Sequence, residues 1–209
     1  MIVKICGIKS LEELDFVERY ADFTGVVMDK NSKRYAGIER AREIIEVSSI
    51  PVFAVVTSTS FEDAYTTAEL INAECIQIHS ENFGTEDFLS LKEHGFFTAK
   101  AFRISKSSQS YTSESEIVLE KIRQYSPDFP ILDTGKGSGE MHDLRVSREI
   151  AEREQIILAG GLSPDNVLSA IEFVKPAGVD VSSGVERDGR KDFHLVKKFS
   201  EVVKGDRSK

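Results

Sequence analysis

A few short stretches of this chain carry residue types that can do chemistry, and each follows an apolar run. Cys6-Gly7 follows the first run, and a thiol is a proton acceptor once it loses its own proton. Asp133 follows another, where partial burial is expected to raise a carboxyl's pKa enough to make it a proton donor. Together the two could supply a base and an acid, which is what proton shuffling on a sugar needs. Gly160-Gly161 and Ser182-Ser183-Gly184 are turns whose backbone N–H groups can cradle a phosphate. The Gly135–Gly139 loop, with Lys136, Gly137 and Ser138, can add a third wall. Arg34 carries a fork suited to a carboxylate.

Each feature also has a plain reading. A lone cysteine at a strand end can be a small buried hydrophobe. Glycines permit tight turns whatever they bind. Asp133 can cap its loop, Arg34 can be a surface charge, and His79 is read as structural or peripheral. Cys75 opens its apolar run instead of ending it, so it is expected at the opposite end of the fold from Cys6.

The elements that would position these groups alternate regularly. Strand-like runs are Ile2–Ile5, Gly25–Met28, Val52–Val56, Cys75–Ile78, Phe97–Phe102, Ile131–Leu132, Ile156–Ala159 and Val179–Val181. Between them lie helical stretches at Leu11–Tyr20, Ile38–Val47, Phe61–Asn72, Glu86–His94, Glu114–Tyr125, Asp143–Arg153 and Asp192–Val203. Ser10 is expected to cap the first. Ser163 is expected to cap another, with Pro164 at its first position. The Ser-rich Ser105–Ser115 reads as a surface loop. Eight strand–helix units predict a single (β/α)8 barrel over residues 1–203, with 204–209 a frayed tail. An open doubly wound sheet would more often carry its glycine-rich turn after the first strand.

Composition removes other classes. The chain has 209 residues, enough for a core without disulfides, and a net charge of -8 argues against nucleic acid or an anionic membrane as partner. No signal peptide or membrane span is expected, because Lys4 interrupts the N-terminal run and the longest uncharged stretch is short and polar. Two cysteines without pairing logic fit a reducing cytoplasm. The four histidines are scattered, so no metal site is expected.

The motifs Lys4-Ile-Cys-Gly-Ile8, Ser32-Lys-Arg-Tyr35, Gln77-Ile-His79, Leu132-Asp-Thr134, Leu158-Ala-Gly-Gly-Leu-Ser-Pro-Asp-Asn-Val167 and Gly178-Val-Asp-Val-Ser-Ser-Gly-Val-Glu186 resemble the phosphoribosylanthranilate isomerases of tryptophan biosynthesis. The resemblance implies a (β/α)8 barrel and an Amadori rearrangement of N-(5-phosphoribosyl)anthranilate. It implies Asp133 as general acid at the ring oxygen and Cys6 as general base at C2. Arg34 is implied at the anthranilate carboxylate and Asp180 at the amine and ribose hydroxyls. Gly160, Gly161, Ser182, Ser183 and Gly184 are implied at the phosphate. No cofactor is implied, and members occur as monomers or homodimers. The sister isomerase of histidine biosynthesis has Asp where this chain has Cys6. A non-catalytic phosphate-binding barrel would need neither Cys6 nor Asp133.

Overall fold

The computed structural model describes residues 1–135 and 141–205. Eight parallel strands close into a barrel in chain order: β1 (Ile2–Cys6), β2 (Phe23–Val27), β3 (Val52–Val56), β4 (Cys75–Ile78), β5 (Phe97–Arg103), β6 (Phe129–Asp133), β7 (Ile157–Leu158) and β8 (Gly178–Val181). β8 pairs back onto β1, with Lys4 opposite Asp180. The outer helices are α1 (Leu11–Val17), α2 (Ile38–Val47), α3 (Phe61–Leu70), α4 (Thr85–Glu93), α5 (Tyr111–Tyr125), α6 (Leu144–Ala151), α7 (Val167–Val174) and α8 (Phe193–Lys204). A two-stranded antiparallel ribbon, β9 (Glu186–Arg187) and β10 (Arg190–Lys191), stands between β8 and α8.

The strands read as apolar runs because both faces are buried. Val3, Ile5, Ala54, Val56, Leu132 and Val179 face outward into the helix layer. Cys6, Phe53, Val55, Ala99, Ile131 and Ile157 fill the interior. At the N-terminal ends of the strands four phenyl rings make a floor. Phe129 lies 5.0 Å from Phe23 and 5.1 Å from Phe97 between centroids, and Phe53 lies 5.9 Å from Phe97. The two contacts of Phe129 are edge-to-face, a geometry that adds to the stabilisation from the area the rings bury. Cys75 sits at this end, as expected, and burial pushes its thiol up to about 11.

Several boundaries differ from the sequence reading. The segment Ser105–Ser115 is not all loop: α5 starts at Tyr111 because Ser110 accepts a hydrogen bond from the Ser113 N–H. Ser163 does not cap α7. Asn166 accepts from the Ser163 N–H at 2.8 Å and donates to the Gly161 carbonyl at 2.8 Å, closing a turn that delays the helix to Val167. α8 runs through Lys204, whose ammonium is 2.6 Å from Asp22. Ser10 caps α1 as expected, accepting from the Glu13 N–H. β6 begins at Phe129, so it includes Pro130, a residue type uncommon inside a sheet.

Candidate active site at the C-terminal mouth of the barrel

Parallel strands place the residue at each C-terminal end around one mouth. Cys6 ends β1 and points inward, buried. Gly25 on β2 leaves it room, since a Cβ there would lie 3.3 Å from Cys6 Sγ. Below it Lys4 is fully buried and donates to Asp180 Oδ2 at 3.1 Å. The other carboxylate oxygen, Asp180 Oδ1, is buried and has no hydrogen-bond partner among the described residues. A buried acceptor left unpaired is costly, so this atom is suited to receive a donor from a bound molecule. Burial pushes the Cys6 thiol above its ordinary value, although the ammonium groups of Lys4 and Lys191 pull it down.

Asp133 ends β6 across the mouth, and here the expectation of a raised carboxyl fails. Burial does push it up. Hydrogen bonding from His79, whose Nε2 is 3.2 Å from Oδ2, and from the Gly135 and Thr134 backbone outweighs that and holds Asp133 below the ordinary carboxylate value. His79 is therefore the acid candidate's direct partner and not a peripheral residue. His79 stands just past the end of β4, two residues after the inward-facing Gln77, so its side of the barrel was legible in the sequence but its pairing with Asp133 was not. Lys100 fixes the loop beyond, donating to the Ser80 carbonyl at 2.7 Å, and burial lowers its pKa to about 8.

Gly160 packs directly on Asp133: a Cβ there would lie 2.8 Å from Asp133 Oδ1, and its φ is +83°. Gly161 also has positive φ, at +66°. Ser183 and Gly184 form a single turn after β8. Gly184 abuts the preceding βα loop so closely that a Cβ would meet the Leu162 carbonyl oxygen at 1.8 Å. Gly184→Ala is therefore expected to force the two loops apart, costing about 1–3 kcal/mol. At roughly 2–4 °C per kcal/mol for a chain of this size, a thermal melt will read the loss. Gly137 and Ser138 lie outside the described residues.

Arg34 reaches the mouth from the loop after β2. Its side chain crosses Gly7, where a Cβ would come within 2.7 Å of Arg34 Cδ. Its fork is engaged by Glu186, Nε to Oε1 at 2.7 Å and Nη2 to Oε2 at 2.9 Å. Glu186 is held in turn by Lys191, at 2.7 Å. Ser182 donates to the Cys6 carbonyl at 2.9 Å, tying the β8 loop to the end of β1. Sequence reasoning missed Glu186 as a partner and Lys191 altogether. The mouth thus brings Cys6, Asp133, Asp180, Arg34, Gly160, Gly161 and Ser182–Gly184 together around one opening.

The chain matches the family model described as N-(5'-phosphoribosyl)anthranilate (PRA) isomerase over residues 3–202. It is 50% identical to the N-(5'-phosphoribosyl)anthranilate isomerase of Pyrococcus abyssi over 199 residues, covering 95% of this chain and 96% of that one. The solved structure of the Pyrococcus furiosus isomerase superposes with a TM-score of 0.91 at 47% identity, covering 99% of this chain and 100% of that one. A phosphoribosyl anthranilate isomerase solved with reduced 1-(o-carboxyphenylamino)-1-deoxyribulose 5-phosphate superposes with a TM-score of 0.82 at 32% identity, covering 98% and 100%.

Proposed function

Because the chain belongs to the N-(5'-phosphoribosyl)anthranilate isomerase family, we propose that its Cys6 and Asp133 are the base and acid of that family's reaction. The enzyme converts N-(5-phosphoribosyl)anthranilate into 1-(o-carboxyphenylamino)-1-deoxyribulose 5-phosphate in tryptophan biosynthesis. The observation that supports the assignment is the pair of groups at one mouth: a thiol at the end of β1 and a carboxyl at the end of β6.

Asp133 gives its proton to the furanose ring oxygen as the C1–O bond breaks, leaving an iminium between C1 and the anthranilate nitrogen. Cys6 thiolate takes the proton from C2. The C–H electron pair becomes the C1–C2 double bond and neutralises the iminium. The resulting enolamine tautomerises, C2 becoming the ketone and C1 taking a proton. The iminium is the electron sink, so this sequence calls for no redox cofactor. Asp180 Oδ1 accepts from the amine or a ribose hydroxyl. The loops at Gly160-Gly161 and Ser182–Gly184 hold the phosphate, and Arg34 holds the carboxylate. All described groups come from one chain, so a monomer suffices and a homodimer would carry two such sites. The free cysteines suit the cytoplasm.

Substrate made in place from anthranilate and phosphoribosyl pyrophosphate is fluorescent, and its decay on adding the protein tests the activity. No decay from folded protein that binds the reduced product would refute it. The pH dependence is specific. Asp133 lies below its ordinary value and Cys6 above, so the free site near neutrality holds carboxylate and thiol. The productive form, protonated Asp133 with Cys6 thiolate, is then a minor but constant fraction. kcat/KM should stay flat from about pH 5 to about pH 8. It falls below as thiolate is lost and above as Asp133 loses its proton. A limb inside that window would contradict the assignment.

A further inference from the structure

The fork of Arg34 is already bonded to a carboxylate of the protein itself, which raises the question of how it receives a second one. Glu186 takes Nε and Nη2 of Arg34. With one guanidinium and two carboxylates, the substrate's carboxylate would be repelled by Glu186 about as strongly as it is drawn to Arg34. Lys191 changes that balance. Its side chain is fully buried, and its three donors go to Glu186 Oε1 at 2.7 Å, the Ser182 carbonyl at 3.1 Å and Ser182 Oγ at 3.2 Å.

Burying an ammonium is expensive and opposes its charge, and Lys191 is lowered from its ordinary value for that reason. The position is nevertheless strongly built. The Lys191 N–H donates to Glu13 Oε1 at 3.0 Å, and Glu13 Oε2 accepts from the Lys9 N–H at 2.6 Å. This buried carboxylate therefore ties the β9–β10 ribbon to the loop after β1.

We propose that Lys191 and Glu186 are positioning residues that form, with Arg34, a charge-balanced triad selecting an aromatic carboxylate over a neutral ring. Glu186 fixes the plane of the guanidinium and leaves its Nη1 edge for the ligand. Lys191 neutralises Glu186, so the triad keeps a net charge of one positive unit. When the ligand's carboxylate arrives, two cations face two anions. The inference rests on the reading that Arg34 meets the anthranilate carboxylate.

The test compares two ligands that share the phosphate: the reduced product analogue, and the same molecule without its ring carboxylate. Their Kd ratio cancels any effect on the phosphate loops. A charge-assisted contact contributes about 1.5–3 kcal/mol, so the wild-type ratio should be about 10–100-fold. Lys191→Met should cut this ratio by about tenfold. Removing both charges, with Glu186→Gln added to Lys191→Met, restores the net charge and should bring the ratio back to within about threefold of wild type. A merely structural lysine would not be rescued in this way. Should Lys191→Met fail to fold, the double variant is compared with Glu186→Gln alone. A collapsed ratio there overturns the proposal, and a preserved one supports it. Arg34→Ala separates the two readings. An unchanged ratio in Arg34→Ala refutes the carboxylate role of Arg34 and the triad with it. A ratio lost in Arg34→Ala but kept in Lys191→Met overturns only the triad.

Discussion

Cys6→Ala should lower kcat by about 10²–10⁴-fold, the range for removing a positioned general base. Binding of the reduced product analogue should stay within about threefold of wild type, because no phosphate or carboxylate contact is removed. The split matters because Cys6 is buried in the interior cluster with Val55 and Ile131. Loss of its sulfur therefore also tests packing. A cavity of that size at Gly25 would lower the melting temperature and loosen binding together with turnover. If kcat and affinity fell in step, Cys6 would be a core residue and the base would lie elsewhere. Cys6→Ser gives a second view, since it keeps a polar atom but offers no accessible anion. It should be as slow as the alanine variant.

Asp133→Asn should cost a similar 10²–10⁴-fold in kcat. The amide keeps the shape and can still accept from His79, but it has no proton to give. It also changes the pH profile in a way that a loss of fold would not. With the acid gone, residual turnover depends on thiolate alone. Activity should then rise with pH up to the Cys6 pKa, where the wild type stays flat. A variant retaining the flat profile at reduced height would show that Asp133 positions the site without donating to the ring oxygen.

Much of this site was legible because barrel chemistry sits at strand ends, and strand ends can be read from apolar runs. Cys6, Asp133 and Asp180 were found in that way, as were the glycines. What could not be read was pairing between distant loops. Nothing in Asp133's neighbours shows that His79, 54 residues earlier, holds its carboxyl down. The inference from burial to a raised carboxyl therefore pointed the wrong way. Lys191 was equally hidden, because a lysine in a charged stretch near Asp192 looks like solvated surface until the ribbon folds it under the mouth. Serine-rich sequence misled for a third reason. Ser110 and its neighbours satisfy one another's polar groups, so the same composition can start a helix or fill a loop.

Among the described residues, four phenyl rings close the lower end of the barrel and leave the mouth as the way into the interior. Substrate must enter, and product leave, past the same rim that carries Arg34 and the loops after β7 and β8. A new substrate cannot follow until the old product has gone. The enolamine, once formed, has no rear exit through which to escape unfinished. Water bound for the iminium must come through the opening that the ligand itself fills. The rings at Phe23, Phe53, Phe97 and Phe129 take no part in any proton transfer. Their contribution is to make the reaction chamber a cul-de-sac, so that traffic and protection are governed at one boundary.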